Sequence, residues 1–259
     1  MTTLIRMNTP SPRVPILTYH ALDESGSVVA MSPALFRAQM EFLRANGWRA
    51  LSLDELLAGH ARGAWAPRAF ALTFDDGFAN FFEHAFPVLR ECQFTATVFV
   101  IADWVGKTND WQSQLAWVPR HPLMNWRELR TIADAGIAIG AHTLSHPHLA
   151  RLAAPDATRE IVECKRVIAD QIGREAQAFA YPYGEMSRTV EAIVAQHYRA
   201  GFSTQLGFAT AQNRAIAFAR IDTYYLRQPR FFHALAAGWL DWYLRARRWA
   251  RKLRWGKSG

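Results

Sequence analysis

Two cysteines are all that this chain of 259 residues holds, and Cys92 and Cys164 fall in helix-like stretches with no partner spacing. Their scarcity excludes a disulfide framework and a cysteine-ligated metal, and both read as plain buried thiols. No run approaches the roughly 18 apolar residues that a membrane-spanning helix needs. Met1 to Pro15 carries polar residues and prolines at 10, 12 and 15, where a secretory leader requires an unbroken apolar region, so the expected location is the cytoplasm. No glycine-rich phosphate fingerprint follows the first apolar run, which counts against a nucleotide-binding sheet. Acid is missing from Tyr243 to Gly259. That segment holds Arg245, Arg247, Arg248, Arg251, Lys252, Arg254 and Lys257, nearly the whole of the +8 net charge.

What is present suits one sizeable core: 50% of residues are hydrophobic and 20% charged. Short β-branched or apolar runs alternate with amphipathic ones, the pattern of a parallel sheet wrapped by helices. Strands are expected at Val14–Tyr19, Trp48–Leu51, Ala69–Phe74, Thr95–Ile101, Ile137–Ala141, Ala178–Tyr181, Ala200–Ser203 and Ala217–Ile221. Ser32-Pro33 supplies an N-cap and first-turn proline for a helix that stops at Asn46-Gly47, and Ser52-x-x-Glu55 is a capping box. Further helices are expected at Asn80–Glu91, Trp126–Ala135, Asp156–Ile172 and Met186–Gln196. Seven or eight such steps without a composition break point to a closed α/β barrel in a single domain over residues 14–230. It lies between a tail (1–13) and a basic, aromatic C-terminal segment (231–259). Trp104 to Leu123 reads as a long loop whose Trp104, Trp111 and Trp117 either stack on a sugar or fill a satellite core.

Thr73-Phe74-Asp75-Asp76-Gly77 ends one apolar strand and His142-Thr143-Leu144-Ser145-His146 ends another, so in a barrel both reach the C-terminal mouth, where active sites lie. Of two adjacent carboxylates, one can hold a divalent cation while the other takes a proton from water, although Asp-Gly is also an ordinary turn former. The four-residue spacing of His142 and His146 places two imidazoles on one side of a helical turn, within reach of one ion. Tyr181-Pro182-Tyr183-Gly184 ends a third strand, where a proline-fixed turn can aim a backbone N–H at an oxyanion. His20 closes the first strand and is a candidate general acid. His148, turned away by Pro147, reads as support.

These runs resemble the polysaccharide deacetylases of carbohydrate esterase family 4, also called the NodB homology domain. Thr73 to Gly77 matches its T-F-D-D-G motif and His142 to His146 its H-[ST]-x-x-H motif, in order and in strand context. The Tyr19-His20 start and Phe36 to Leu57 are similar to the poly-N-acetylglucosamine deacetylase branch. The resemblance, which runs from about Val14 to about Arg220, implies a deformed (β/α) barrel of about seven strands. It implies that Asp75 is the base, that Asp76, His142 and His146 bind the metal, and that Tyr183 supplies an oxyanion-hole amide. Ala180 stands where the family's third motif has an arginine, and Arg220 is the candidate replacement. Tyr181 and Trp104 are further candidates to support the site or touch substrate.

The expected activity is removal of an N-acetyl group from an amino sugar of a glycan, with zinc as the expected metal and nickel, cobalt or iron as alternatives. Two other readings compete: an O-acetyl esterase with the same site, and a non-catalytic glycan-binding barrel. Trp239, Trp242, Tyr243, Ala246, Trp249, Ala250 and Leu253 recur at helical steps, giving a basic amphipathic helix over 239–257. Such a helix suits an anionic membrane surface, here the inner face, and equally a terminal helix packing its aromatics on the domain. Nucleic acid is not expected, since no reading motif adjoins the arginines.

Overall fold

The computed structural model describes residues 12–255, with side chains from 12 to 250. Seven strands run in chain order: β1 (Ile16–Tyr19), β2 (Ala69–Phe74), β3 (Thr97–Val100), β4 (Ala138–Ala141), β5 (Ala178–Ala180), β6 (Ala200–Leu206) and β7 (Phe218–Asp222). All pair in parallel, in the order β1-β7-β6-β5-β4-β3-β2, and β2 returns to β1, closing the barrel. At the seam β1 lies between its two neighbours, Leu17 facing Leu72 on one side and Ile221 on the other. Arg49–Ala50 adds a two-residue strand beside the start of β2.

The eight α-helices are α1 (Pro33–Ala45), α2 (Leu53–Arg62), α3 (Phe86–Cys92), α4 (Trp126–Asp134), α5 (Ala154–Ile172), α6 (Arg188–His197), α7 (Pro229–Ala237) and α8 (Leu240–Trp255). The local signals act as expected. Ser32 caps α1 with Pro33 at its first position, and Ser52 and Glu55 form the capping box of α2. The helix expected over Asn80–Glu91 instead opens with a wide turn at Phe81–Ala85, in which the Phe86 N–H reaches the Phe81 carbonyl, before α3 begins. Pro87 has no N–H for the Glu83 carbonyl, and the wider turn absorbs the break.

Alternation along the strands divides the core in two. Leu17, Tyr19, Leu72, Phe74, Val98, Val100, Phe179 and Ile221 face the helices. Ile16, Ala71, Phe99, Ala178, Ala200, Phe202 and Phe218 fill the barrel, where Phe202 meets Phe99 and Phe218 at ring-centroid distances of 5.3 and 5.7 Å. Two residues further along three of the inward rows the lining turns polar: Ile16 gives way to Thr18 and His20, Ala71 to Thr73 and Asp75, Phe218 to Arg220. One end of the barrel is thereby oily and the mouth polar.

The loop from Val105 to Asn125 is held by buried Asn109, which accepts from the His121 N–H and donates to the Pro119 carbonyl. Trp111 joins Ala21, Phe78, Ile101 and Leu123 in a satellite core against which Trp104 packs, while Trp117 is exposed. The C-terminal segment corrects the expected amphipathic face. Leu240, Tyr243 and Leu244 are the buried stripe of α8, and Trp242 and Trp249 project to solvent on another side. Leu residues cost less to dehydrate than indole N–H groups that lack a partner, so they took the inward positions. The boundary drawn at 230/231 falls inside α7. Of the tail, residues 1–11 lie outside the described residues, as do Lys257 and the side chains of Arg251, Lys252, Leu253 and Arg254.

Gly140 sits opposite Phe99 in the β3–β4 register, and a Cβ there would come within 2.4 Å of the Phe99 ring. Gly140→Ala is expected to destabilise the protein by about 1–3 kcal/mol in urea denaturation, and Phe99→Leu in the same chain to recover part of the loss.

Candidate active site

Asp75 continues the pleat of β2, its N–H donating to the Tyr19 carbonyl, so its carboxylate points into the mouth. There Arg220 grips it through two bonds, Nη1 to Oδ1 and Nη2 to Oδ2, each 2.8 Å. Arg220 is fixed in turn by donating from Nε to the Ser203 carbonyl at 2.9 Å. Burial raises the energy of the Asp75 charge, but the guanidinium outweighs it and holds the carboxyl far below the usual carboxylate range. His20 Nε2 stands 3.8 Å from Asp75 Oδ2.

The next residue turns away. Asp76 and Gly77 have φ of 70° and 72°, successive left-handed conformations that send the Asp76 side chain sideways towards the β4 loop. Asp76 Oδ1 lies 3.4 Å from His142 Nε2 and 3.5 Å from His146 Nε2. The two imidazoles do not share a helical turn. They converge because Thr143 and His146 are themselves left-handed, at φ 70° and 61°, in a non-helical loop. The loop is fastened by Glu160 of α5, whose buried carboxylate accepts the N–H groups of Leu144 and Ser145 at 2.9 Å and the Ser145 hydroxyl at 2.8 Å.

Each imidazole is oriented through its other nitrogen. His142 Nδ1–H donates to the Ala180 carbonyl at 2.7 Å, and His146 Nδ1–H donates to the Tyr183 hydroxyl at 3.0 Å. Tyr183 passes its proton to Ser113 Oγ at 2.8 Å, and His148, bonded to Glu185, stacks on the Tyr183 ring at 4.2 Å. Tyr183 has φ 58°, held by the turn that Pro182 begins. Burial pushes the His146 imidazole down to about 3, and neighbouring His142 adds to it, so His146 is neutral with its Nε2 lone pair free. Burial also opposes charge on Asp76, but hydrogen bonding to His142 lowers it, leaving a carboxylate. One oxygen and two nitrogens, all within 4.8 Å of one another, therefore face a common point. The two distances from Asp76 match an edge of a tetrahedron of donors about 2.1 Å from a central ion, and the chemistry of the donor set fits a divalent metal.

Asp75, His20 and Arg220 open on a cavity of about 600 Å³ that Tyr183, Tyr224 and Arg247 also line. Asp75, Asp76, His20, His142, His146, Tyr183 and Arg220 are thus brought to one place. Tyr181 and Trp104 are not. Tyr181 is 1% exposed on the helix-facing side of β5, its hydroxyl donating to the Ile216 carbonyl, because strand alternation turns it away from the mouth. Trp104 packs against Trp111, and it is Trp111 whose ring meets His146, at 4.7 Å. Sequence reading also passed over Ser113 and Glu160. Neither carries a motif, and only the turn of α5 that faces the histidine loop distinguishes Glu160 from solvated acids.

Fold and site together define a seven-stranded parallel α/β barrel with an Asp-His-His donor set beside an arginine-clamped carboxylate. Residues 63–200 match the polysaccharide deacetylase family. The chain belongs to that family, a class of enzymes that deacetylate carbohydrates. It is 26% identical over 213 residues to YxkH of Bacillus subtilis, named for the same family, covering 81% of this chain and 71% of that one. It is 24% identical over 167 residues to a poly-beta-1,6-N-acetyl-D-glucosamine N-deacetylase of Staphylococcus aureus, covering 61% of this chain and 55% of that protein. An Escherichia coli enzyme of the same name is 26% identical over 134 residues, which span 49% of this chain and 20% of its own length. Among solved structures, Streptococcus pyogenes deacetylase PplD, in complex with acetate, superposes with a TM-score of 0.72 at 25% identity, covering 82% of this chain and 93% of that one. IcaB of Ammonifex degensii gives 0.69 at 26% identity, covering 87% and 96%.

Arg220→Met is expected to cost about 3–5 kcal/mol in the folded protein by leaving a buried carboxylate unpaired. In the wild type Asp75 titrates below its unfolded value of about 4, so its contribution is complete above that pH and lost as pH falls through the lower folded value. In the variant burial still opposes the charge and only the weaker attraction of His142 and His20 acts against it, so the carboxyl is held less far down and the deficit against the wild type narrows as pH falls. Urea denaturation should show a smaller deficit near pH 5 than near pH 8. Glu160→Gln, which presents an amide N–H₂ to donors, is expected to weaken zinc binding about 10–100-fold in a competition titration with a chelator.

Proposed function

We propose that this chain is a metal-dependent N-deacetylase of amino sugars in a glycan, with zinc as the native ion. The observation that carries the reading is the Arg220-clamped, ionised Asp75 within 3.8 Å of His20, beside the Asp76, His142 and His146 donors. Two nitrogens and one oxygen are a donor set that suits zinc, and the names of the relatives support a glycan N-acetyl substrate. When bound, the ion would supply Lewis acidity to the acetyl carbonyl and make water easier to deprotonate.

The protein's own groups do the rest. Asp75 accepts a proton from the attacking water, and its two bonds to Arg220 fix the direction of that transfer. The water oxygen bonds to the carbonyl carbon, and negative charge grows on the acetyl oxygen, where the Tyr183 N–H serves as donor. His20, whose Nε2 stands 3.8 Å from Asp75 Oδ2, gives a proton to the amine nitrogen as the C–N bond breaks, leaving acetate and a free amino sugar. An amine is a poor leaving group without that proton, whereas a sugar alkoxide leaves more readily.

Acetate release from an N-acetylglucosamine oligomer tests the assignment. Asp75→Asn is expected to lower kcat by about 10²–10⁴-fold while zinc content stays at that of the wild type. His146→Ala should lose the zinc. His20→Ala should fall by a similar factor on the N-acetyl substrate; if the wild type and this variant instead release acetate only from an O-acetylated glycan, and equally fast, the enzyme is an esterase.

A further inference from the structure

Of the eight large apolar side chains exposed among the described residues, Leu115 and Trp117 stand on the long loop and the other six fall in two groups. Val28, Tyr183 and Tyr224 line the catalytic cavity, Trp242 and Trp249 stand on α8, and Trp239 immediately precedes that helix. Trp242 and Trp249, 72% and 67% exposed, are seven residues apart and so share one side of the helix, two turns from each other. Arg245 and Arg248 flank them, and no acid occurs from Tyr243 to the end of the chain. Indole rings set among cations fit the headgroup layer of an anionic bilayer, where the ring is half-solvated and the charge is neutralised by lipid phosphate.

The inner side of the same helix belongs to the active site. Tyr243 stacks on Phe231 at 4.2 Å and donates its hydroxyl to the Tyr225 carbonyl, which pins α8 to the segment after β7. One turn on, Arg247 and Ala250 line the cavity that holds Asp75, His20 and Arg220. Arg247 donates from Nε to the Tyr243 hydroxyl at 3.1 Å, and among the described residues no carboxylate lies within ion-pair distance of it. Its guanidinium carbon lies 5.5 and 5.4 Å from the Tyr225 and Tyr243 ring centroids at the cavity wall, and a planar fork of N–H donors is the geometry that fits a phosphate. Ala250 follows Trp249 directly, so the cavity rim and the indole lie within about one helix diameter, about 10 Å.

We propose that α8 is a membrane-docking wall of the active site. Its Trp242 and Trp249 side enters an anionic bilayer surface, while Arg247 meets the phosphate that joins an N-acetylated saccharide to a lipid. The substrate is then a lipid phosphate-linked amino sugar, met at the membrane. The reaction rests on the deacetylase reading above; the docking does not.

The test uses the full, zinc-loaded chain. It should float with vesicles of phosphatidylcholine mixed with phosphatidylglycerol, less so at high salt, and weakly with phosphatidylcholine alone. Trp242→Ser with Trp249→Ser should reduce that binding by more than about tenfold with an unchanged unfolding midpoint. Equal binding by this variant, or retention by single-stranded RNA in place of vesicles, would overturn the docking. Acetate release is then compared on a prenyl diphosphate-linked N-acetylglucosamine in the vesicles and on a soluble N-acetylglucosamine oligomer. A higher kcat/KM on the lipid-linked substrate is expected. Arg247→Ala should raise its KM about tenfold with little change in kcat, and Arg247→Lys should recover part of that loss. A wild type that prefers the soluble oligomer overturns the substrate assignment. Vesicle binding with silence on both substrates would sink the deacetylase reading and leave the docking standing.

Discussion

An ionised carboxylate cannot sit alone at the throat of a dry barrel, and the bidentate Arg220–Asp75 pair is what makes the rest of this site sustainable. Arg220 enters from β7, is anchored on the Ser203 carbonyl of β6, and closes on Asp75 of β2. Three strands from both sides of the seam therefore meet in one set of charge-assisted bonds. Without the guanidinium, burial would drive Asp75 towards its neutral acid, which has no lone pair charge to offer a proton. The cost of depressing a base so far is weakened basicity. On the proposed function, an ion held by the neighbouring donor set would offset it by making water easier to deprotonate.

Backbone conformation does the sorting of roles. Asp75 and Asp76 are chemically identical neighbours, and what separates them is one left-handed residue: Asp75 stays in the strand, and Asp76 leaves it at φ 70°. Of the six non-glycine residues with positive φ among those described, Asp76, Thr143, His146 and Tyr183 are at the site. Such conformations persist only where surroundings over-determine them. Here Glu160 fastens the histidine loop, and the Tyr183 ring lies between the imidazoles of His146 and His148.

Much of this was legible before any coordinates. Strand ends at Phe74 and Ala141 follow from apolar runs that stop at charged or polar residues, and capping at Ser32 and Ser52 is local chemistry. The position of Arg220 was readable only as a candidate, since nothing in a late strand says which face an arginine takes until the register with β1 and β6 is set. Tyr181 was misjudged for the same reason: one residue of strand parity separates a cavity-facing side chain from a helix-facing one. Trp104 and the tryptophan stripe of α8 were readable only as a choice between a packed and an exposed role. Indole spacing reports a helical or loop face, but which face is buried depends on the partner surface, here Phe231 and Tyr225 for α8 and Phe78 for the long loop. Glu160 had no signal at all, because a carboxylate that caps a distant loop is indistinguishable in sequence from one that faces water.

The order of these residues along the chain divides the site at the barrel seam. Asp76 follows β2 and His142 and His146 follow β4, so the three candidate donors are brought together by the β2–β3–β4 part of the sheet. His20 and Arg220 come from the two ends, and they face Asp75 only once β7 has paired with β1 through Ile221–Leu17 and Asp222–Thr18. The donor set therefore needs no contact across the seam, whereas the partners that surround Asp75 are assembled only by closing it.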